Sequence, residues 1–233
     1  MNDASGVDGL AERLVLVQQS VADAARAAGR DPSEVTTIVV TKFHPPSLVR
    51  DLVALGVRDV GENRAQEAAA KAAEVGSGTT ADPLRWHFIG QLQTNKARIV
   101  RGFASAVHSV DRPALADALR SDESELDCFL QLALTDDPGR GGVTGADLPS
   151  LADRVLTTPG LRLRGVMAVA PLGEEPRRAF ARVREASEIL RTIAPEATAI
   201  SAGMSGDYAD AIAEGATHVR IGTAITGKRP ERA

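Results

Sequence analysis

Short, nearly unbroken apolar runs alternate with helical patterns along most of this chain of 233 residues. Strand candidates lie near residues 35–41, 58–61, 86–89, 106–110, 128–134, 162–169, 197–201 and 217–221. Between them, apolar positions recur three and four residues apart. This spacing predicts helices over Pro46 to Leu55, Arg64 to Val75, Asn95 to Arg101, Arg112 to Leu119, Leu148 to Leu156, Pro176 to Ile193 and Tyr208 to Glu214. Ahead of the first strand, Leu10, Leu14, Val17, Val21, Ala24 and Ala28 share one helical face. They predict an amphipathic helix over 8–29 that Gly29 and Asp31-Pro32 close. Strands hydrophobic on both faces belong to a parallel sheet covered by helices. Eight of them alternating with helices predict a single (β/α)8 TIM barrel domain over residues 1–233, preceded by the N-terminal amphipathic helix. A doubly wound open sheet is the alternative, since a strand count does not prove closure.

Composition narrows the class. With 43% hydrophobic and 25% charged residues, the chain has the balance of an ordinary globular protein. Its net charge is −4, with both signs interleaved, which excludes a nucleic-acid footprint. No apolar run reaches membrane-spanning length, and the first residues carry neither a basic nor an apolar signal segment. Cys128 stands alone, so no intrachain disulfide forms. A cytoplasmic monomer is the expectation. His44, His87, His108 and His218 show no metal-ligand spacing, and His87 reads as a satisfied interior histidine. Two loops run longer than the rest, Gly76 to Pro83 and Asp136 to Gly142, the second a candidate lid.

Three places carry candidate chemistry. Lys42 ends the apolar run Val35-Thr-Thr-Ile-Val-Val-Thr, where a barrel turns side chains toward its site face. Partial burial there would leave a nucleophilic amine able to form a Schiff base. The turns Ser201-Ala-Gly-Met-Ser205-Gly-Asp207 and Arg220-Ile-Gly222-Thr223 follow the seventh and eighth strands, where barrels commonly bind phosphate. Gly203 and Gly222 would let the backbone approach, and Ser201, Ser205 and Thr223 would add hydroxyls. Plain turn chemistry favours the same residues. An amine beside a phosphate site suits a phosphate-bearing aldehyde, pyridoxal 5′-phosphate (PLP); a sugar phosphate is the rival. Arg220, if inward, would meet the pyridine nitrogen and, keeping its own proton, leave that nitrogen unprotonated; a salt bridge at the barrel rim is the alternative. Glu62 and Asn63 end the second strand toward the same mouth, and Glu62 reads as structural rather than as a base. Gly203-Met-Ser-Gly-Asp207 differs from a serine-hydrolase elbow at its fifth position, and no histidine completes a triad.

Several stretches together resemble the pyridoxal phosphate homeostasis protein family, whose barrel is similar to that of bacterial alanine racemase. They are Val40-Thr-Lys42, Gly61-Glu-Asn-Arg-Ala-Gln-Glu67, Trp86-His-Phe-Ile-Gly-Gln-Leu-Gln-Thr-Asn-Lys96, Leu163-Arg-Gly-Val-Met167, Gly203 to Asp207 and Val219 to Ile225. The resemblance implies a Schiff base on Lys42, phosphate in the two late turns and Arg220 against the pyridine nitrogen. It implies a role in intracellular vitamin B6 balance without established turnover, with PLP-dependent apoenzymes as recipients. A weak PLP-dependent racemase or lyase is the alternative. Racemisation in such barrels needs a second base, typically a tyrosine from an added domain; here Tyr208 is the single tyrosine and is expected to pack. Ala133 and Arg140 stand where the family usually has Asn and Lys, and Thr226 where it has an aromatic residue.

Overall fold

The computed structural model describes residues 4–76, 83–135 and 141–228. The chain opens with helix α1 (Ala4–Ala27), and the alternation then begins. It runs β1 (Thr36–Val40), α2 (Pro46–Ala54), β2 (Asp59–Glu62), α3 (Ala65–Val75), β3 (Arg85–Phe88) and α4 (Ala97–Arg101). Next come β4 (Ala106–Val110), α5 (Pro113–Ala118), β5 (Leu126–Gln131), α6 (Leu148–Thr157), β6 (Leu161–Met167) and α7 (Pro176–Ile193). The chain finishes with β7 (Ala199–Ser201), α8 (Tyr208–Ala213), β8 (His218–Ile221) and α9 (Thr223–Thr226). All neighbours pair in parallel, and β1 pairs with β8 from Thr36↔His218 to Val39↔Ile221, so the barrel is closed. The open-sheet alternative is thereby excluded.

Element bounds moved where tertiary pairing overrode the apolar run. β5 starts at Leu126 and stops at Gln131, because the chain beyond bridges Leu132 to Val143 instead of continuing the ladder. β6 stops at Met167, and β7 keeps only Ala199 to Ser201. β1 stops at Val40, two residues before Lys42.

Between the strands and the helices, the outer core packs Leu, Val, Ile and Phe against one another. α1 joins this core through Leu10, Leu14, Val21 and Ala25, packed with Ile212, Ile221 and Ile225. Each buried Leu or Val stabilises by about 1.5–3 kcal/mol relative to exposure. Polar ties fix its direction. Arg13 Nε donates to Ile225 O at 2.8 Å, Arg30 Nη1 donates to Ile212 O and Ala216 O, and Ser20 Oγ meets Tyr208 Oη at 2.7 Å. Thus α1 braces α8 and α9, the two short helices that follow the late turns. Tyr208 packs as expected, and Thr226 is buried in place of the usual aromatic residue.

The barrel's own interior is different. Phe129, Met167, Ala106 and Ala199 form a small apolar layer, while Asp59, His87, His108, Ser201 and Arg220 are buried polar groups. His108 stacks on Phe129 with centroids 4.2 Å apart and planes 11° apart.

Candidate functional site

The site face begins where β1 releases the chain. Thr41 is held twice: its Oγ1 donates to Glu62 Oε1 at 2.8 Å, and its carbonyl accepts from Lys71 Nζ at 2.9 Å. Lys71 and Glu62 are themselves paired at 2.5 Å, with side chains only 8% and 2% exposed. Glu62 is therefore structural, as expected, but it anchors β1 to α3 rather than capping a helix. His44 N–H then closes a turn on Thr41 O at 3.1 Å. Phe43, at the third position of that turn, has φ 70°, a left-handed conformation unusual outside glycine. Such strain persists only where surrounding contacts impose it, and it concentrates at functional sites.

Lys42 occupies the second turn position and is exposed; the partial burial expected of it is absent. Its Nζ lies 5.9 Å from the centroid of the Phe43 ring, and Arg64 Cζ lies 5.0 Å from the same ring. Burial, followed by the charge of Lys71, lowers the His44 pKa from its usual value.

Deeper in the barrel, Arg220 is held at three points. Nη1 donates to Ser201 O and Ser201 Oγ, both at 2.7 Å, and Nη2 donates to Ala168 O at 2.8 Å. Nε–H and one Nη2–H keep no acceptor among the described residues, so the fork retains donors for a ligand. Burial pulls the guanidinium down to about 10, partly opposed by Asp207, and it stays charged at neutral pH. Ser201, expected to offer its hydroxyl to phosphate, does not. It is fully buried, and its Oγ sits between Arg220 and His108 Nδ1, 2.9 Å away.

The late turns behave as two parts. Gly203 is buried with φ 92°, and a Cβ there would lie 2.8 Å from Tyr208 Cα and from Ala211 Cβ. Its role is to bring the turn against α8 rather than to face a ligand. Ser205, Gly206, Thr223 and Ala224 are exposed, and among the described residues their N–H groups have no acceptor. Gly222, at the start of α9, is half-buried, with Val40 beside it. Asp207 Oδ1 accepts from Met204 N at 2.6 Å and shapes the first turn. The accessible part of the two turns is thus Ser205, Gly206, Gly222, Thr223 and Ala224, while Ser201 faces the interior.

Asn63 adds an independent mark. Its Oδ1 is buried and has no partner among the described residues, so it keeps an acceptor for a further group. Gly90 lies so close that a Cβ would fall 2.3 Å from Asn63 O, so the turns after β2 and β3 interlock. Asn63, Phe88, Gln91 and Lys96 line a cleft of about 330 Å³ on this face. Ala133 uses its N–H to bond Val143 O, Arg140 lies outside the described residues, and so does most of the candidate lid. The loop from Gly76 to Pro83 is likewise largely outside them.

Sequence reasoning missed the interior polar groups Asp59 and His108, and with them Lys71. The available signal was polar residues inside otherwise apolar strands. Among the described residues no cluster of histidine, cysteine and carboxylate could hold a metal, and no helix is long and apolar enough to cross a membrane.

Comparison with known proteins places this geometry. Residues 20–230 match the family model described as alanine racemase, N-terminal domain. The chain is 42% identical to the pyridoxal phosphate homeostasis protein of Corynebacterium glutamicum, over 86% of this chain and 93% of that protein. PipY of Synechococcus elongatus, solved with PLP bound, superposes with a TM-score of 0.78 at 36% identity, covering 94% of this chain and all of that one. Alanine racemase from C. glutamicum shares the fold alone, with a TM-score of 0.67 at 16% identity, and this chain covers 60% of it. The chain belongs to the pyridoxal phosphate homeostasis protein family.

Proposed function

We propose that this protein holds PLP on Lys42 and serves intracellular vitamin B6 balance without catalytic turnover. The observation that carries the reading is the convergence of a reachable amine, a row of unbonded turn amides and a buried, donor-rich arginine on one barrel mouth. The PLP-bound relative, 36% identical over nearly the whole chain, supports it.

PLP supplies an aldehyde for covalent attachment and a ring that can withdraw electrons. The residues fit it. Lys42, exposed in its turn, would hold PLP through its amine, with loss of water from the aldehyde. Ser205, Gly206, Thr223 and Ala224 offer N–H groups, and Ser205 and Thr223 also offer hydroxyls, to a phosphate. Gly222 lets that backbone approach, and Gly203 holds the first turn in place. Asn63 offers its unpartnered Oδ1. Arg220 donates toward the pyridine nitrogen and, with its pKa near 10, yields no proton to it at neutral pH.

That last property argues against turnover, because an unprotonated ring withdraws electrons poorly. Tyr208, the single tyrosine, places its hydroxyl 2.7 Å from Ser20 Oγ of α1, which suits packing better than the role of a second base. A cytoplasmic monomer that yields PLP to dependent apoenzymes completes the proposal. Incubating the apoprotein with PLP and reducing with borohydride tests it. A pyridoxyl-phosphate adduct on the Lys42 peptide is the expected result, and its absence overturns the reading.

A further inference from the structure

Five buried side chains from β2, β3, β4, β7 and β8 form one continuous string through the barrel. Arg220 Nη1 lies 2.7 Å from Ser201 Oγ, Ser201 Oγ 2.9 Å from His108 Nδ1, and His108 Nε2 2.9 Å from His87 Nδ1. His87 Nε2 ends it 2.8 Å from Asp59 Oδ1, which Arg85 also grips with Nε at 2.8 Å. We propose that this string is a one-way hydrogen-bond chain in which His108 and His87 are positioning residues for Arg220. The proposal rests on the PLP reading for its functional part, since Arg220 is the group assigned to the cofactor ring.

The direction follows from the two ends. A guanidinium can only donate, so Ser201 Oγ accepts from Arg220 and has one proton left to give. His108 Nδ1 takes that proton as acceptor, which puts the His108 proton on Nε2. His87 Nδ1 accepts in turn, and His87 Nε2–H donates to Asp59. An ionised carboxylate can only accept. Burial would raise the Asp59 carboxyl, but the hydrogen bonds from His87 and Arg85 and the charge of Arg85 outweigh it and hold it well below the usual range. The reverse arrangement, with His108 Nδ1–H donating, leaves the buried Ser201 proton without an acceptor among the described residues, which costs stability.

The surroundings keep His108 neutral. It is faced by His87 from β3, Phe129 from β5, Ser201 from β7 and both His218 and Arg220 from β8. Apart from the ring of Phe129 and the hydroxyl of Ser201, those neighbours are bases or a cation. No carboxylate touches it. Ser201 is thereby turned with its lone pair toward Arg220, and the fork is fixed for its remaining donors.

The test is long-range proton–nitrogen NMR of histidine-labelled protein from about pH 6 to about pH 9, before and after PLP loading. His87 and His108 are both expected to carry a proton on Nε2 and a bare Nδ1. In Ser201→Ala the His108 Nδ1 resonance moves, and the near-ultraviolet band of the loaded protein shifts while borohydride still traps the Lys42 link. PLP leaves about fivefold faster, the equivalent of one ordinary hydrogen bond. His108→Phe, which keeps an aromatic ring against Phe129, displaces the band in the same way; should it not fold, Ser201→Ala carries the test. A proton on Nδ1 of His108 or of His87, or bands unchanged in both variants, overturns the proposal. Absence of any band in the unaltered protein refutes the PLP reading and the chain's role in it, while the unloaded spectrum still decides the chain's direction.

Discussion

Lys42 and Arg220, the two residues proposed for one site, stand under opposite conditions. Lys42 is exposed and lies in a strained turn, its Nζ 5.9 Å from the centroid of the Phe43 ring. Arg220 is 5% exposed and held by three hydrogen bonds to β7 and the residue after β6. A nucleophile must be reached and must move as it bonds, whereas a group that sets ring electronics must not move at all. The rigidity behind Lys42 is supplied one residue earlier, at Thr41, by the buried Lys71–Glu62 pair. The barrel thus locks the frame and leaves the reacting amine loose.

Substitutions can break this contrast from either side. Lys42→Ala should abolish the reducible link and the near-ultraviolet band entirely, with stability within about 0.5 kcal/mol of the parent because the side chain is exposed. Band retention in that variant would remove Lys42 from the site. Glu62→Ala leaves Lys71 charged and unpaired in a buried position, and should cost about 3–5 kcal/mol in chemical denaturation. A change near zero would mean that the pair does not hold the frame. Arg220→Lys keeps the charge but loses the planar fork, so PLP retention should fall by about tenfold. Equal retention would show that the fork is unimportant.

Acid provides a gentler probe of the interior. His218 is lowered to about 4 by burial first and by His87 next, partly opposed by Asp59. Its folded form binds fewer protons than the unfolded chain between about 4 and its usual 6.5. Stability from this group is therefore full above 6.5 and declines as pH falls toward 4. Asp59, depressed below its usual 3.8, withdraws its contribution only further down, as pH falls through its folded value. Unfolding free energy measured against pH should slope downward first in the histidine window, and His218→Asn should flatten that slope. A flat profile in the parent would contradict the buried, neutral interior. The smallest effect expected is that of Ser205→Ala or Thr223→Ala, each weakening phosphate capture by about two- to fivefold while the turn amides remain. Titration with PLP reads it.

The barrel was legible because its parallel strands are apolar on both faces and the helical stretches carry clear periodicity. Strand ends were less so, since the stop of β5 at Gln131 is set by the bridge from Leu132 to Val143. Where chemistry is local the candidates were visible: Lys42, Ser205 and Thr223 lie just past strands or in turns and are exposed in the structure. Ser201 was misplaced because a hydroxyl beside glycines looks the same whether it faces a ligand or the interior. The interior chain was invisible for a different reason. Its members at 59, 87, 108, 201 and 220 are neighbours only through strand register, and no spacing along the sequence joins them. Histidines within apolar strands, as in Trp86-His87-Phe88 and Val107-His108, were the available sign.

The most direct test of the central claim is an absorbance spectrum of the purified protein before and after borohydride, with mass spectrometry of the Lys42 peptide. The account predicts a near-ultraviolet band that vanishes on reduction and a pyridoxyl-phosphate adduct on Lys42. No band and no adduct after incubation with PLP would contradict it.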